Sequence, residues 1–140
     1  MPARSSEIER KKMSGSQLLV VDDEEVNRDV MYALLSKSGF KVTAAAFGAE
    51  AISLASKKRF CSILMDIDMP EMNGFEAARQ IRQLGGESSS ALIIGMTPRL
   101  EQIDTLGSDF EIDVFVGKPF SLPKTIRLLS AAIDNNGRPR

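Results

Sequence analysis

Three runs of this chain, Leu18–Val21, Ile63–Met65 and Leu92–Ile94, are apolar at every position. A strand with one face in water alternates apolar and polar residues. A strand that is apolar throughout must be covered on both faces, the condition of a parallel sheet with helices on either side. The segments between such runs have helical periodicity. Val26, Val30, Met31, Leu34 and Leu35 form one stripe at a 3.6-residue repeat, and Leu122, Ile126, Leu129 and Ile133 form another. Gly39 follows the first stripe where a left-handed residue ends a helix. The pattern predicts strands at 17–21, 41–45, 61–65, 92–96 and 114–117, and helices at 25–38, 49–57, 75–84, 100–106 and 122–134. Five βα units in 140 residues imply an α/β domain with a doubly wound, five-stranded parallel sheet, and right-handed crossovers limit its topologies.

The flanks lack this patterning. Residues 1–16 are polar and carry Arg4, Arg10, Lys11 and Lys12 against Glu7 and Glu9, so a flexible arm or linker is expected there. Residues 135–140, Asn-Asn-Gly-Arg-Pro-Arg, read as a helix stop and a disordered tail. The domain is therefore expected to span 17–134, with too few residues beyond it for a second one.

Composition excludes several function classes. The net charge of −1 provides no basic field for direct nucleic-acid binding. No apolar run approaches the roughly 20 residues of a bilayer span, and the N-terminus lacks the apolar core of a signal peptide. The single cysteine, Cys61, cannot form an internal disulfide, and it opens a strand where core packing is expected. These features predict a cytoplasmic protein. The absence of histidine excludes a phosphohistidine carrier, a histidine-based hydrolase and a histidine-ligated zinc site.

The chemistry-bearing residues lie at strand ends, where open α/β sheets place their sites. Asp22-Asp23-Glu24-Glu25 follows the first strand, Asp66-Ile67-Asp68-Met69-Pro70 the third, Thr97 the fourth and Lys118 the fifth. Carboxylates from neighbouring strand ends would raise each other's pKa unless a cation intervened. An oxygen-only donor set suits Mg²⁺. A carboxylate can also accept a phosphoryl group as an acyl phosphate, a transfer that needs mainly positioning and charge neutralisation. Lys118 offers a fixed positive charge and Thr97 a hydroxyl donor. Strand alternation directs Phe115 away from the lysine's side, so the pattern alone makes it a core residue.

Leu19-Val20-Val21-Asp22-Asp23, Leu64-Met65-Asp66-Ile67-Asp68-Met69-Pro70 with Gly74, Thr97, and Lys118-Pro119 together resemble the receiver domain of two-component response regulators. The resemblance covers about residues 17–134. Glu24-Glu25-Val26-Asn27-Arg28 and Gly74-Phe75-Glu76-Ala77-Ala78 are most similar to receivers of hybrid histidine kinases and phosphorelays. It implies a flavodoxin-like sheet of order 2-1-3-4-5, with Asp66 as phosphoacceptor. It also implies Mg²⁺, or Mn²⁺, held by Asp23, Asp66 and the backbone carbonyl of Asp68, with Asp22 acting through water. Lys118 and Thr97 would hold phosphoryl oxygens, Lys118-Pro119 would be a cis peptide, and Phe115 would be the switch aromatic coupled to Thr97. The donor would be a histidine kinase or histidine phosphotransfer protein. A downstream protein would bind the 100–134 face of a monomer or weak dimer. The only chemistry would be self-phosphorylation and autodephosphorylation.

Three departures from that family pattern carry expectations of their own. Pro98 follows Thr97 where a small residue usually donates its N–H to the phosphoryl group, so a donor is missing and an atypical switch is expected. Phe110-Glu111 replaces a common Ala-Gly pair, and with Gly107-Ser108-Asp109 predicts a short, displaced or mobile fourth helix. Asp68 and Arg99, at positions that flank the acyl phosphate, carry opposite charges and are expected to pair over the site and hinder the attacking water. Two other readings compete. One is a protein-binding scaffold that keeps the fold without a phosphate switch. The other is a Mg²⁺-dependent phosphatase of the haloacid-dehalogenase type, disfavoured because that family opens with its Asp-x-Asp strand.

Overall fold

The structure is a computed structural model that describes residues 15–106 and 111–132. Its strands are β1 (Gln17–Val21), β2 (Lys41–Ala45), β3 (Ser62–Asp66), β4 (Leu92–Thr97) and β5 (Val114–Gly117). Its α-helices are α1 (Glu25–Lys37), α2 (Gly48–Lys57), α3 (Gly74–Leu84) and α4 (Leu122–Ala132), and a 3₁₀ segment covers Leu100–Leu106. The strands are all parallel and run in the order β2-β1-β3-β4-β5.

The uniformly apolar strands divide their side chains between two cores. Leu19, Val21, Ile63, Met65 and Ile93 face α2 and α3, which supply Ala51, Ala55, Ala77, Ala78 and Ile81. Leu18, Val20, Leu64, Ile94 and Met96 face the other layer, where α1 supplies Met31 and Leu35 and α4 supplies Ile126 and Leu129. Each fully buried Leu, Ile, Val or Met side chain contributes about 1.5–3 kcal/mol. Cys61 packs, partly buried, against the second core.

The helix ends follow their local chemistry. Asn73 caps α3, its Oδ1 accepting from Glu76 N at 3.0 Å. Gly39 and Gly85 follow α1 and α3 with φ of 102° and 61°. Arg82, in the last turn of α3, braces the helix against the start of β4. It donates to the carbonyls of Ser89 and Ala91 at 2.8 and 2.6 Å and pairs with Asp113 at 2.8 Å.

The strands and helices lie where the hydrophobic pattern predicts them, with shifts of a residue or two at their ends. β3 and β4 continue through Asp66 and Thr97, because ladder hydrogen bonding does not stop where hydrophobicity does: Ile67 N still donates to Met96 O at 3.0 Å. The fourth helical pattern forms a 3₁₀ segment and not an α-helix. Such segments are short because their hydrogen bonds are poorer. Of the residues expected to reshape its end, Glu111 is exposed, whereas Gly107, Ser108, Asp109 and Phe110 lie outside the described residues. Two residues assigned to the N-terminal arm belong to the fold: Gly15 N donates to Gly39 O at 2.8 Å, and Ser16 O accepts from Lys41 N at 2.9 Å. The rest of that arm, the last two residues of the predicted fifth helix and the tail lie outside the described residues. No helix among the described residues is long and apolar enough to cross a membrane.

Candidate functional site

Strand register assembles the site. Val21 of β1 lies opposite Met65 of β3, so Asp22 follows its strand beside Asp66. Asp66 lies opposite Met96 of β4, one residue before Thr97, and Thr97 lies opposite Gly117, one residue before Lys118. Four strand ends thus deliver the predicted residues to one edge of the sheet. Asp22, Asp66 and Thr97 are each 1% exposed, while Asp23 is exposed.

The carboxylates of Asp22, Asp23 and Asp66 each place an oxygen within 4.8 Å of the others. Lys118 Nζ lies 3.0 Å from Asp66 Oδ1 and 3.8 Å from Asp22 Oδ2. Asp66 Oδ1 also accepts from Asp68 N at 3.1 Å. Asp66 Oδ2 is buried and has no hydrogen-bond partner among the described residues. A buried carboxylate oxygen without a donor is costly, and a cation would satisfy it. The oxygen-only donor set, open to solvent at Asp23, fits Mg²⁺, which retains several waters.

Electrostatics express the same crowding. Burial pushes Asp66 up to about 7; the Lys118 hydrogen bond opposes that rise, and the Asp22 charge adds to it. Burial also raises Asp22, against the Glu24 N–H that donates to its Oδ1 at 2.9 Å. Burial alone would lower Lys118, but its hydrogen bond to Asp66 and the Asp66 and Asp22 charges outweigh that, so the ammonium is stabilised.

The remaining predicted residues surround this cluster. Arg99 Nη2 meets Asp68 Oδ1 at 2.6 Å, with the side chains 58% and 39% exposed. The N–H that Pro98 lacks is not replaced toward the carboxylates by its successor, because Arg99 N donates to Thr97 Oγ1 at 3.0 Å. Thr97 thereby has an acceptor lone pair satisfied while its O–H remains able to donate. Lys118-Pro119 is cis. Phe115 lies on the opposite face from Lys118, partly buried in the first core, with its ring 6.0 Å from that of Phe75.

Four contributors act through contacts that the sequence alone does not show, although Gly74 and Arg28 lie in the motifs quoted above. Gly74 brings its backbone against β3, where an added Cβ would lie 2.4 Å from Asp66 O. Gly95 makes room for Phe115, whose Cδ1 would be 3.0 Å from a Cβ there. Glu71 takes φ of 66° in a tight turn closed by Met72 N donating to Pro70 O at 2.7 Å. Arg28 of α1 reaches back to donate from Nη1 to the Asp22 carbonyl at 2.7 Å. Its weak signal was a cation in the first turns of a helix, where the macrodipole disfavours one.

Known proteins share this arrangement. Residues 18–130 match the family described as response regulator receiver domain. Probable histidine kinase 6 of Oryza sativa subsp. japonica is 46% identical over 76 residues, covering 54% of this chain and 8% of the relative. Probable histidine kinase 5 of the same organism is 37% identical over 132 residues, covering 79% of this chain and 11% of the relative. The chain thus spans about a tenth of the length of these kinases. Among solved structures, the receiver domain of sensor histidine kinase PA1611 from Pseudomonas aeruginosa PAO1, with magnesium coordinated in its active-site cleft, is 32% identical. It superimposes with a TM-score of 0.75 over 84% of this chain and 97% of its own. The sheet order, the strand-end acids and the matched 18–130 stretch agree, and the chain belongs to the response regulator receiver domain family of two-component signalling.

Proposed function

We propose that the chain is a phospho-accepting switch in which Asp66 takes a phosphoryl group from a phosphohistidine on a histidine kinase or phosphotransfer protein. The observation that carries this reading is Asp66 itself: buried, bonded to Lys118 at 3.0 Å through one oxygen, and lacking a donor among the described residues at the other. A carboxylate oxygen of Asp66 attacks phosphorus, the phosphorus–nitrogen bond of the donor breaks, and the imidazole leaves with a proton. Lys118 neutralises charge on the transferring oxygens and Thr97 donates its hydroxyl. Asp22, Asp23, Asp66 and the Asp68 carbonyl are the groups that would hold Mg²⁺, which when bound offsets the charge of both carboxylates and phosphoryl oxygens. The chain turns over no external product beyond losing its own phosphoryl group. Phe115 and the 100–134 face carry the response to a downstream protein, and the setting is cytoplasmic.

On this reading the exposed Asp68–Arg99 pair slows the attacking water at Asp66, while Pro98 removes one donor to the phosphoryl group. Faster loss of phosphate in an Asp68→Asn, Arg99→Ala double variant is expected, and an unchanged rate would refute that role. The complete acid cluster and Lys118 count against a phosphate-independent scaffold. Intact mass after incubation with acetyl phosphate and Mg²⁺ tests the main reading. One phosphoryl adduct is expected, absent in Asp66→Asn and without Mg²⁺. An adduct that persists in Asp66→Asn would overturn the assignment.

A further inference from the structure

The Asp22–Asp23 turn is held at its backbone by a residue outside the acid cluster. Arg28 Nη1 donates to the Asp22 carbonyl at 2.7 Å from a partly buried position on α1. Asp22 N donates to Ala45 O at 3.2 Å, and Glu24 N closes onto Asp22 Oδ1 at 2.9 Å. The peptide linking Asp22 to Asp23 is therefore held by Arg28 at its carbonyl, and the peptides on either side of it are held by the other two bonds, so its plane sets the direction in which the exposed Asp23 carboxylate leaves the chain. Asp23 has no burial to hold it, yet its oxygen lies within 4.8 Å of the buried acids.

We propose that Arg28 is a positioning residue for the divalent cation, acting through the Asp22 carbonyl and not as a ligand. The inference rests on the reading of Asp22, Asp23 and Asp66 as the Mg²⁺ site. Its geometry opposes its charge. A guanidinium beside an anionic cluster repels a second cation, so charge alone would make Arg28 weaken Mg²⁺ binding. The carbonyl bond does the reverse, because a fixed turn presents Asp23 without the cost of ordering it. Arg28 is retained in the structure as a clamp, and the clamp outweighs the repulsion.

The opposing signs give a decisive test. Mg²⁺ affinity is measured by NMR chemical-shift titration of the full chain at pH 8, with urea unfolding in EDTA alongside, for wild type, Arg28→Ala, Arg28→Lys and Asp23→Asn. The expected result is a dissociation constant about tenfold weaker in Arg28→Ala, at the low end of the effect of groups that orient metal ligands. Arg28→Lys, which keeps one donor and the charge, should recover at least half of that loss on a logarithmic scale. Stability in EDTA should fall by far less than the Mg²⁺-bound stability. Tighter binding in Arg28→Ala would show that only its charge acts, and the proposal would be wrong. Unchanged affinity with reduced stability in EDTA would make Arg28 a structural residue and overturn it equally. Wild type and Asp23→Asn with the same weak affinity would instead overturn the metal site itself, and the inference with it.

Discussion

Replacing Asp66 by Asn should stabilise the metal-free protein, and the gain should depend on pH. The Asp66 carboxyl has an ordinary value near 3.8 in an unfolded chain and is pushed up to about 7 in the fold, chiefly because burial disfavours its charged form. Between those two values the folded state binds more protons than the unfolded state. Stability therefore falls as pH rises through that window; the contribution is fully present below about pH 4 and lost above about pH 7. Integrated between pH 5 and pH 8, this one group removes roughly 2–3 kcal/mol of stability. Asn has nearly the same shape and keeps an oxygen for Lys118, but has no proton to lose. Asp22 is also raised, yet it is present in both proteins and largely cancels from their difference. Urea unfolding in EDTA at several pH values measures the effect. With slopes of about 1–3 kcal/mol per molar urea, the midpoint of wild type should fall relative to Asp66→Asn by about 1 M or more from pH 5 to pH 8. Saturating Mg²⁺ should remove most of that difference by supplying the missing cation. Parallel curves for the two proteins across this range in EDTA would refute the electrostatic account of the site.

The same ionisation governs metal affinity: with Asp66 at about 7, the ionised fraction rises about tenfold from pH 6 to pH 8, and the Mg²⁺ association constant should rise with it in a titration. Gly74→Ala should cost about 1–3 kcal/mol in urea unfolding, because its Cβ would stand 2.4 Å from Asp66 O and displace β3 at the acceptor; an unchanged midpoint would mean the contact relaxes freely. Glu71→Gly should raise stability by about 1 kcal/mol, since Glu71 is exposed and strained at φ of 66°. A neutral or destabilising effect would mean that the Glu71 side chain holds the turn in another way.

What was legible in the chain was whatever is periodic or terminal. The all-apolar runs announce a sheet covered on both faces, and the polar residues that end them, Asp22, Asp66, Thr97 and Lys118, announce its edge. Their assembly then follows from strand order. The Asp68–Arg99 pair was legible too, from its opposite charges, but other contacts that join distant elements were not. The motif that contains Arg28 does not show that α1 points its side chain back at the Asp22 carbonyl. Gly95 reads as a weak strand residue until β5 brings Phe115 against it. The 3₁₀ form of Leu100–Leu106 escaped because its spacing of apolar residues fits either helix. Glu71 gave no warning, since nothing about a glutamate predicts a left-handed backbone.

The parallel register also acts as a ruler. Asp66, Thr97 and Lys118 stand at the ends of three adjacent strands, so the spacing between them is set by main-chain hydrogen bonds at about 4.8 Å per strand. Side-chain packing in the two cores supports the sheet but does not calibrate this interval. Core residues are therefore free to drift as long as volume is kept, with little effect on the grip at the edge. Registration errors are a different matter. Sliding β5 by one residue would put Gly117 or Pro119 where Lys118 stands and turn Phe115 into the opposite layer. Such a fault has no intermediate degree, and the site is either built to the correct interval or not built at all.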